Sequence, residues 1–295
     1  MIECFHKKCF LEMFCKVKLE SVIIDIEKLN DLDSIDVLEK NTGITVFKTL
    51  KSFLDSRENC SSGHKNTFMI TDNRRAADFA IENEIGIAVY INDINSASDF
   101  SEALYCVDSL KEMTKNTLIR MYERANDIPW TIMETKRCIV SEMTLDDVDR
   151  LYEIYADKET KQYVEDLYKD REEEREYTKK YINNQYKFFE YGIWIVREKE
   201  DSVIIGRAGL FNRDDQDEIE IGFVFAREYW GMGYASEVLS AILSYAREEL
   251  DVTNIVAHVH HENDRSKKLL MKLGFEFVKE TEIDNKSYDR FLKEL

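Results

Sequence analysis

The sequence predicts an α/β protein made of two domains. Its 295 residues are about twice the length of an average domain. The only proline, Pro129, directly follows a helical pattern, and proline disfavours helix in the residue before it. The first half alternates strand and helix patterns, which is the order of a small Rossmann-like parallel sheet with covering helices. We therefore expect this parallel domain over residues 16–128, a boundary near residues 128–134, and a second domain over residues 134–295.

In the first half, short runs of β-branched and apolar residues mark the strands, and apolar residues at helical spacing mark the helices. The strand patterns cover residues 22–26, 67–70, 87–91 and 103–107, and the helix patterns cover residues 46–54, 74–84 and 109–124. Residues 1–15 carry neither pattern, because charged residues interrupt them. We expect a disordered leader there, with translation starting at Met1 or at Met13.

Two segments of the first half resemble a haloacid-dehalogenase-type domain. Residues 22–27 are similar to the strand that carries that family's nucleophile, and residues 69–73 are similar to a later acidic loop. In that family a second aspartate stands two residues after the nucleophile and a glycine follows it, whereas this chain has Glu27 and Lys28. We therefore expect a degenerate domain without phosphatase activity, which binds a partner or small ligand or braces the second domain.

The second half opens with a strand pattern at residues 139–144 and a helix pattern at residues 145–152. Thr144 and Asp147 have the spacing of a capping pair at the start of that helix. A longer helix pattern over residues 171–190 places five apolar side chains inward: Tyr177, Tyr181, Ile182, Phe188 and Phe189. Strand patterns follow at residues 193–197, 203–211, 218–225 and 254–259, with a helix pattern between the last two.

Composition and charge exclude several classes of function. Hydrophobic residues make up 44% of the chain, which is typical of a protein with a packed core. The net charge of −18 would repel a phosphate backbone, so nucleic-acid binding is disfavoured and a cationic substrate is favoured. No apolar run approaches the roughly 20 residues of a membrane helix, and the N-terminus lacks a secretory signal. We expect a cytoplasmic protein without a membrane partner.

The six cysteines lie far apart without a CxxC pair, which is typical of reduced thiols in an intracellular protein. Cys4, His6, Cys9 and Cys15 cluster near the N-terminus, but their spacing matches no common metal site. His258 and His260 lie on one face of a strand without an evident third ligand, so a polar lining of a substrate cleft is the better interpretation. We expect no metal.

A glycine-bearing turn follows the strand at residues 218–225 and leads into a helix. Such a turn presents unpaired backbone N–H groups and the positive end of the helix dipole, which suit a phosphate or pyrophosphate. Gly231 and Gly233 would let the ligand approach closely. No Lys-Ser or Lys-Thr pair follows, so a nucleotide triphosphatase loop is excluded.

Residues 220–223 and 228–237 resemble the acetyl-CoA motif of the GCN5-related N-acetyltransferases (GNAT), and residues 254–259, 262–266 and 269–275 resemble the second signature of that superfamily. The likeness is greatest to the ribosomal-protein N-terminal acetyltransferase branch. It implies a mixed, mostly antiparallel sheet flanked by helices, whose central strands separate to admit the pantetheine arm. The cosubstrate implied is acetyl-CoA, and the residues implied to bind it are Phe223, Val224, Phe225, Trp230, Gly231, Met232, Gly233, Tyr234, Ala235, Ser236, Asn263 and Ser266.

The resemblance also suggests catalytic roles. The tyrosine that protonates the departing thiolate in many members is Leu270 here, so Ser266 is the candidate acid. Acetyl transfer requires a neutral amine, and Glu282 or Glu220 would be the base that removes its proton. A backbone N–H from residues 223–225 would polarise the thioester carbonyl.

Two functions stay open from the sequence. The first is an N-acetyltransferase acting on a primary amine, such as a protein N-terminus, a polyamine or an aminoglycoside. The second is a catalytically weak acyl-CoA-binding or sensing protein whose output runs through the first domain, because Leu270 replaces the usual acid. The partner in either case is a small-molecule or peptide amine, and a homodimer is compatible with both.

Overall fold

The computed structural model describes residues 18–29, 33–57, 64–93, 95–96, 100–164, 166–212 and 218–295. The chain divides into two compact units between Trp130 and Thr131. Among the helices described, none is both long and apolar enough to cross a bilayer. The predicted leader over residues 1–15, with its cysteines and His6, lies outside the described residues.

The first unit contains a five-stranded, wholly parallel sheet in the order β2-β1-β3-β4-β5. Its strands are β1 (Ser21–Asp25), β2 (Thr45–Phe47), β3 (Thr67–Thr71), β4 (Gly86–Tyr90) and β5 (Tyr105–Val107). The predicted parallel α/β fold is confirmed. The strand order is that of the flavodoxin-like group of doubly wound folds.

Among the residues described, four helices accompany this sheet: α1 (Asp33–Thr42), α2 (Leu50–Arg57), α3 (Arg74–Glu82) and α4 (Lys115–Ala125). Two hydrophobic clusters form the core, one centred on Val22, Ile24 and Phe68 and the other on Ile23 and Met69. Successive residues of β1 belong alternately to the two clusters, so both faces of this strand are covered. The prediction of one helix over residues 46–54 was wrong, because these residues divide between β2 and α2, and α1 has no counterpart in the prediction.

The second unit contains an eight-stranded sheet in the order β12-β13-β11-β10-β9-β8-β7-β6. Its strands are β6 (Thr131–Glu134), β7 (Cys138–Ser141), β8 (Ile193–Glu198), β9 (Ile204–Asn212), β10 (Ile219–Phe225), β11 (Asn254–His260), β12 (Glu276–Ile283) and β13 (Lys286–Glu294). Every neighbouring pair is antiparallel except β10 and β11. The predicted mixed, mostly antiparallel sheet is confirmed.

The helices of this unit are α5 (Val148–Ala156), α6 (Lys158–Lys161), α7 (Arg171–Tyr181), α8 (Tyr234–Glu249) and α9 (Asp264–Lys272). The predicted capping pair is present ahead of α5, where the Asp147 carboxylate accepts the Thr144 backbone N–H at 2.8 Å. Asp147 also pairs with Arg197, and both side chains are buried. The pair therefore fixes the first turn before α5 to β8.

The helix predicted over residues 171–190 is regular only as far as Tyr181. A π-helical turn follows over Ile182–Tyr186, and a short α-helical turn covers Lys187–Phe189. A π-turn holds more residues than an α-turn, so the apolar stripe changes phase there. Tyr186 is fully buried, whereas Phe188 is 79% exposed, so the inward placement predicted for Phe188 was wrong. Tyr177 and Phe189 are exposed as well.

The parallel strands β10 and β11 separate soon after they meet. Their ladder contains a single pair, Glu220 with Val256, within the residues described. Beyond it, β10 stays paired with β9 and β11 stays paired with β13. The sheet is therefore open between residues 221–225 of β10 and residues 257–260 of β11.

Candidate active site

A cleft of about 500 Å³ lies at the C-terminal end of β10. Its walls come from the end of β10, the turn before α8, the start of α9 and the segment around α6. Of the residues predicted to bind the cosubstrate, those lining the cleft are Phe223, Val224, Phe225, Trp230, Gly231, Gly233, Ala235, Ser236, Asn263 and Ser266. Segments separated by about 30 to 100 residues in sequence thus form one concave surface.

The turn before α8 exposes backbone donors to this cleft. Gly231 and Gly233 have φ angles of +74° and +84°, a left-handed conformation that other residues rarely adopt. Within the described residues, the N–H groups from Gly231 to Ser236 have no protein acceptor. Six donors at the start of a 16-residue helix form a site suited to an anion.

Trp230 and Arg265 form one side of the cleft mouth. The Trp230 indole donates its Nε1 hydrogen to the Phe225 carbonyl at 2.7 Å, which fixes the ring against the end of β10. The Arg265 guanidinium carbon lies 3.7 Å from the centre of that ring. No carboxylate of the described residues pairs with Arg265, so this cation–π contact leaves its N–H groups available to a bound anion.

The other basic residues near the two motifs are placed differently. Arg227 pairs with Glu159 at 2.7 Å and with Asp157 at 3.6 Å. Lys267 pairs with Asp289 at 2.7 Å. Lys268 is exposed and lies outside the cleft lining. Carboxylates thus neutralise Arg227 and Lys267, and Lys268 lies away from the lining, so Arg265 is the basic residue of these four that the cleft can offer to a phosphate.

A substitution of Arg265 tests this assignment. Arg265→Met keeps much of the contact with Trp230 and removes the charge, so we expect the Kd for acetyl-CoA to rise by about 10-fold, the loss of roughly one charge-assisted hydrogen bond. Lys268→Met is the control, because Lys268 has the same charge on the same helix. Equal affinity losses in the two variants, measured by calorimetry at fixed ionic strength, would contradict a specific role for Arg265.

Asn263 and Ser266 lie together at the start of α9. The Asn263 side-chain oxygen accepts the Ser266 backbone N–H at 3.1 Å and caps the helix. The Ser266 hydroxyl has no hydrogen-bond partner within the described residues, and it lines the cleft. Leu270, one turn further along, is fully buried. Within this part of α9, Ser266 is the side chain that offers a hydroxyl to the cleft.

Met232 and Tyr234 were predicted to bind the cosubstrate, but their side chains lie outside the cleft lining. The Met232 side chain is exposed. The Tyr234 ring is buried beneath Arg137, whose guanidinium carbon is 3.9 Å from the ring centre, and its hydroxyl bonds to Glu198. These two residues therefore contribute to the turn through their backbone N–H groups.

The two candidate bases differ in environment. Glu220 is buried at the point where β10 and β11 separate, and its Oε2 lies 3.0 Å from Nδ1 of His258. Glu282 is exposed on β12, opposite Ser287, at the end of the hairpin that joins β12 to β13. Neither carboxylate is among the residues that line the cleft. The geometry thus places Glu220, rather than Glu282, beside the opening in the sheet.

The opposite wall includes residues that the motif comparison did not indicate. Thr160, Gln162 and Val164 line the cleft near α6, together with Tyr163. Tyr163 stacks on His260, with 5.0 Å between the ring centres. His258 contacts Glu220 and His260 contacts Tyr163, but neither histidine is among the residues that line the cleft, so the polar lining stays a prediction. No sequence motif marks this wall, although an aromatic side chain in a loop after a short helix is a weak signal.

Asp289 on β13 anchors the start of α9. Its carboxylate lies 2.7 Å from the Lys267 ammonium and 2.8 Å from Nδ1 of His261. Burial raises the pKa of Asp289, but the hydrogen bonds from Lys267 and His261 outweigh burial and hold that pKa below its ordinary value. His261, Glu280 and Asp289 bring oxygen and nitrogen atoms within 4.8 Å of one another, yet the Lys267 ammonium already supplies a cation to this carboxylate.

The lowered pKa gives a stability prediction with a definite sign. The carboxylate stabilises the fold fully above its unfolded-state pKa of about 3.9, and this contribution is lost as the pH falls through the lower folded-state value. We expect Asp289→Asn to reduce the free energy of unfolding by about 2 kcal/mol at pH 7. Urea unfolding should show the gap from wild type narrowing below about pH 4. A gap of constant size down to pH 3 would contradict the role assigned to the Asp289 charge.

Comparison with known proteins shows which family the second unit resembles. A model of the GNAT acetyltransferase domain matches residues 137–276. The N-acetyltransferase p20 of Bacillus licheniformis is 32% identical over 145 residues, which cover 48% of this chain and 80% of that protein. The N-acetyltransferase YoaA of Bacillus subtilis is 28% identical over 151 residues, which cover 49% of this chain and 82% of that protein. Residues 1–136 lie outside the domain match.

Among solved structures, the spermidine N-acetyltransferase of Vibrio cholerae in complex with CoA and spermine is similar to this chain. It is 19% identical, the match covers 53% of this chain and 95% of that chain, and the TM-score is 0.46.

Proposed function

The chain belongs to the GNAT acetyltransferases and is an acyltransferase, and from that premise we propose that it transfers the acetyl group of acetyl-CoA to a primary amine. The observation that carries this proposal is the row of free N–H groups from Gly231 to Ser236. These donors fit the pyrophosphate of CoA, and Arg265 at the mouth of the cleft fits a further phosphate. Placement in the ribosomal-protein branch stays a prediction.

When bound, acetyl-CoA supplies a thioester as the acetyl donor. Residues 223–225 line the cleft on the open side of β10. A backbone N–H group of this stretch would polarise the acetyl oxygen by donating a hydrogen bond to it. Ser266 passes a proton to the departing sulfur and regains one from water. A buried carboxylate at the opening, Glu220, assists the removal of the proton from the acceptor ammonium.

The acceptor is proposed to be a cationic amine. The chain carries a net charge of −18, which favours the approach of cations. Tyr163 lines the cleft, and Tyr168 and Tyr177 form an exposed aromatic pair with ring centres 5.6 Å apart. Aromatic faces stabilise ammonium groups through cation–π contacts. A polyamine, an aminoglycoside and a protein N-terminus each present such an amine.

The test is a panel of these three amine classes, with thiol release from acetyl-CoA as the measurement. Turnover of at least one amine, with the acetylated product identified by mass spectrometry, is the expected result. The alternative of a weakly catalytic acyl-CoA sensor is favoured by the buried Leu270 in place of a tyrosine acid. Binding of acetyl-CoA in calorimetry without turnover of any amine would support the sensor and contradict the transferase.

A further inference from the structure

The opening between β10 and β11 contains a carboxylate–imidazole pair that bridges the two strands. Oε2 of Glu220 lies 3.0 Å from Nδ1 of His258, and Oε1 lies 3.4 Å from the His258 backbone N–H. Both side chains are only 4% exposed. His258 stands two residues beyond Val256, the last residue of β11 with a ladder partner on β10. The imidazole is thus held where the strands have separated.

This contact defines which ring nitrogen is basic. A carboxylate accepts hydrogen bonds, so Nδ1 of His258 carries the hydrogen and Nε2 carries the lone pair. Nε2 forms no hydrogen bond within the described residues. The fully buried polar atoms that lack a partner among the described residues do not include Nε2 of His258. This nitrogen therefore keeps contact with solvent. The arrangement presents an imidazole whose Nε2 has no partner within the described residues and whose ring is oriented by a buried carboxylate.

Further polar side chains lie beside His258 on β11, on β13 and in the loop after α6. His260, on the same face of β11, stacks on Tyr163 in the cleft wall. Arg290 on β13 is the ladder partner of His258 on β11. Its guanidinium forms a salt bridge with Glu218 at 2.7 Å. Within the described residues, the charged or titratable groups on the elements next to His258 include Glu220, which contacts the ring, and also the Arg290–Glu218 pair, His260 and Tyr163. Arg290 is already matched by Glu218, which leaves Glu220 as the charge that acts on His258.

We propose that His258 is the general base of the acetyl transfer and that Glu220 is its positioning residue, an inference that rests on the proposed function. Nε2 takes one proton from the acceptor ammonium, and the neutral nitrogen attacks the acetyl carbon. As the C–N bond forms, the C–S bond breaks and its electron pair leaves on sulfur. The nitrogen releases its second proton to water, the sulfur takes the Ser266 proton and water restores that hydroxyl, and the imidazolium releases its proton to solvent, so one proton is released overall. This differs from a direct role of either carboxylate as the base.

The pH dependence of kcat/KM tests the proposal, with the best amine of the panel as the substrate. Wild type should show a rise of kcat/KM with pH and an inflection from the base, because only the deprotonated base can accept the ammonium proton. His258→Gln should lower kcat/KM by about 10²- to 10⁴-fold at pH 7 and remove the inflection. The Kd for acetyl-CoA, measured by calorimetry, should stay within about twofold. His261→Gln, a substitution at an exposed neighbouring histidine, should keep the wild-type profile.

Glu220→Gln provides a second, independent test. Removal of the negative neighbour disfavours the imidazolium, so the inflection should move to lower pH and kcat should fall. If His258→Gln fails to fold, the shift of the inflection in Glu220→Gln tests the assignment by itself. A folded His258→Gln protein with the wild-type rate and inflection, or an inflection unmoved in Glu220→Gln, would overturn the assignment. Failure of the wild-type protein to turn over any amine would instead contradict the proposed function itself.

Discussion

Gly233→Leu is expected to weaken acetyl-CoA binding by at least about 100-fold, the loss of roughly 2.7 kcal/mol of binding free energy. Gly233 has a φ of +84°, where a residue with a side chain is strained by roughly 1–2 kcal/mol. It is also the N-cap of α8 and lies in the row of free N–H groups that we assign to the pyrophosphate. A leucine there both strains the turn and covers its donors.

The matched control is Gly43→Leu. Gly43 follows α1 with a φ of +63°, and a Cβ at that position would meet no heavy atom within 4 Å. This variant has a similar backbone strain in the first unit, and Gly43 is not among the residues that line the cleft. Calorimetry should show wild-type affinity for Gly43→Leu and none for Gly233→Leu, with thermal unfolding used to show that both are folded. Unchanged affinity in folded Gly233→Leu would exclude the turn as the binding site.

Ser266→Ala is expected to lower kcat by about 10²- to 10⁴-fold while the affinity for acetyl-CoA stays nearly constant. The hydroxyl lines the cleft, has no partner within the described residues, and is not needed for the cap, because the Asn263 oxygen already accepts the Ser266 backbone N–H. Loss of the hydroxyl should therefore leave the helix intact and remove the proton donor for the departing sulfur. Single-turnover kinetics separate this step from product release.

A purely structural role for Ser266 makes the opposite prediction. In that case Ser266→Ala would reduce stability by about 1 kcal/mol with little kinetic effect, as expected for a residue supporting a helix start. Asn263→Ala is the reference variant, because its loss of unfolding free energy shows how much removal of the observed cap costs. A Ser266→Ala protein that is destabilised as much as Asn263→Ala but turns over at the wild-type rate would exclude the acid role, and proton transfer would then run through water or the acceptor.

The fold was predictable where the signal is local. The alternation over residues 218–225 corresponds closely to β10, and the Thr144–Asp147 spacing marked the start of the turn before α5. β2 was missed because Val46 and Phe47 also fit the helical spacing assigned to residues 46–54. The π-turn over Ile182–Tyr186 was missed because a helical stripe assumes a constant number of residues per turn. Residue spacing therefore fails where two periods fit the same residues or where the period changes within an element.

The candidate site was predictable only in part, for a different reason. The glycine turn is contiguous, so its donors could be inferred from sequence alone. Glu220 and His258 are 38 residues apart, and their contact depends on where two strands separate, which no local pattern encodes. Arg227 lies only a few residues before the glycine turn, but its guanidinium pairs with Glu159 of α6, about 70 residues away in sequence. Long-range neighbours decide whether a charged side chain is available.

The separation of β10 and β11 also bears on how the protein behaves in solution. Beyond Glu220 and Val256, each strand presents backbone N–H and C=O groups that no longer pair with the other, so the described sheet contains two edges in its interior. Unpaired edges are templates for pairing with another chain, and natural sheets usually cover them. A ligand lying between the strands would cover both edges at once. We therefore expect the ligand-free chain to be the form prone to strand-mediated aggregation, and saturation with acetyl-CoA during purification and storage to suppress it.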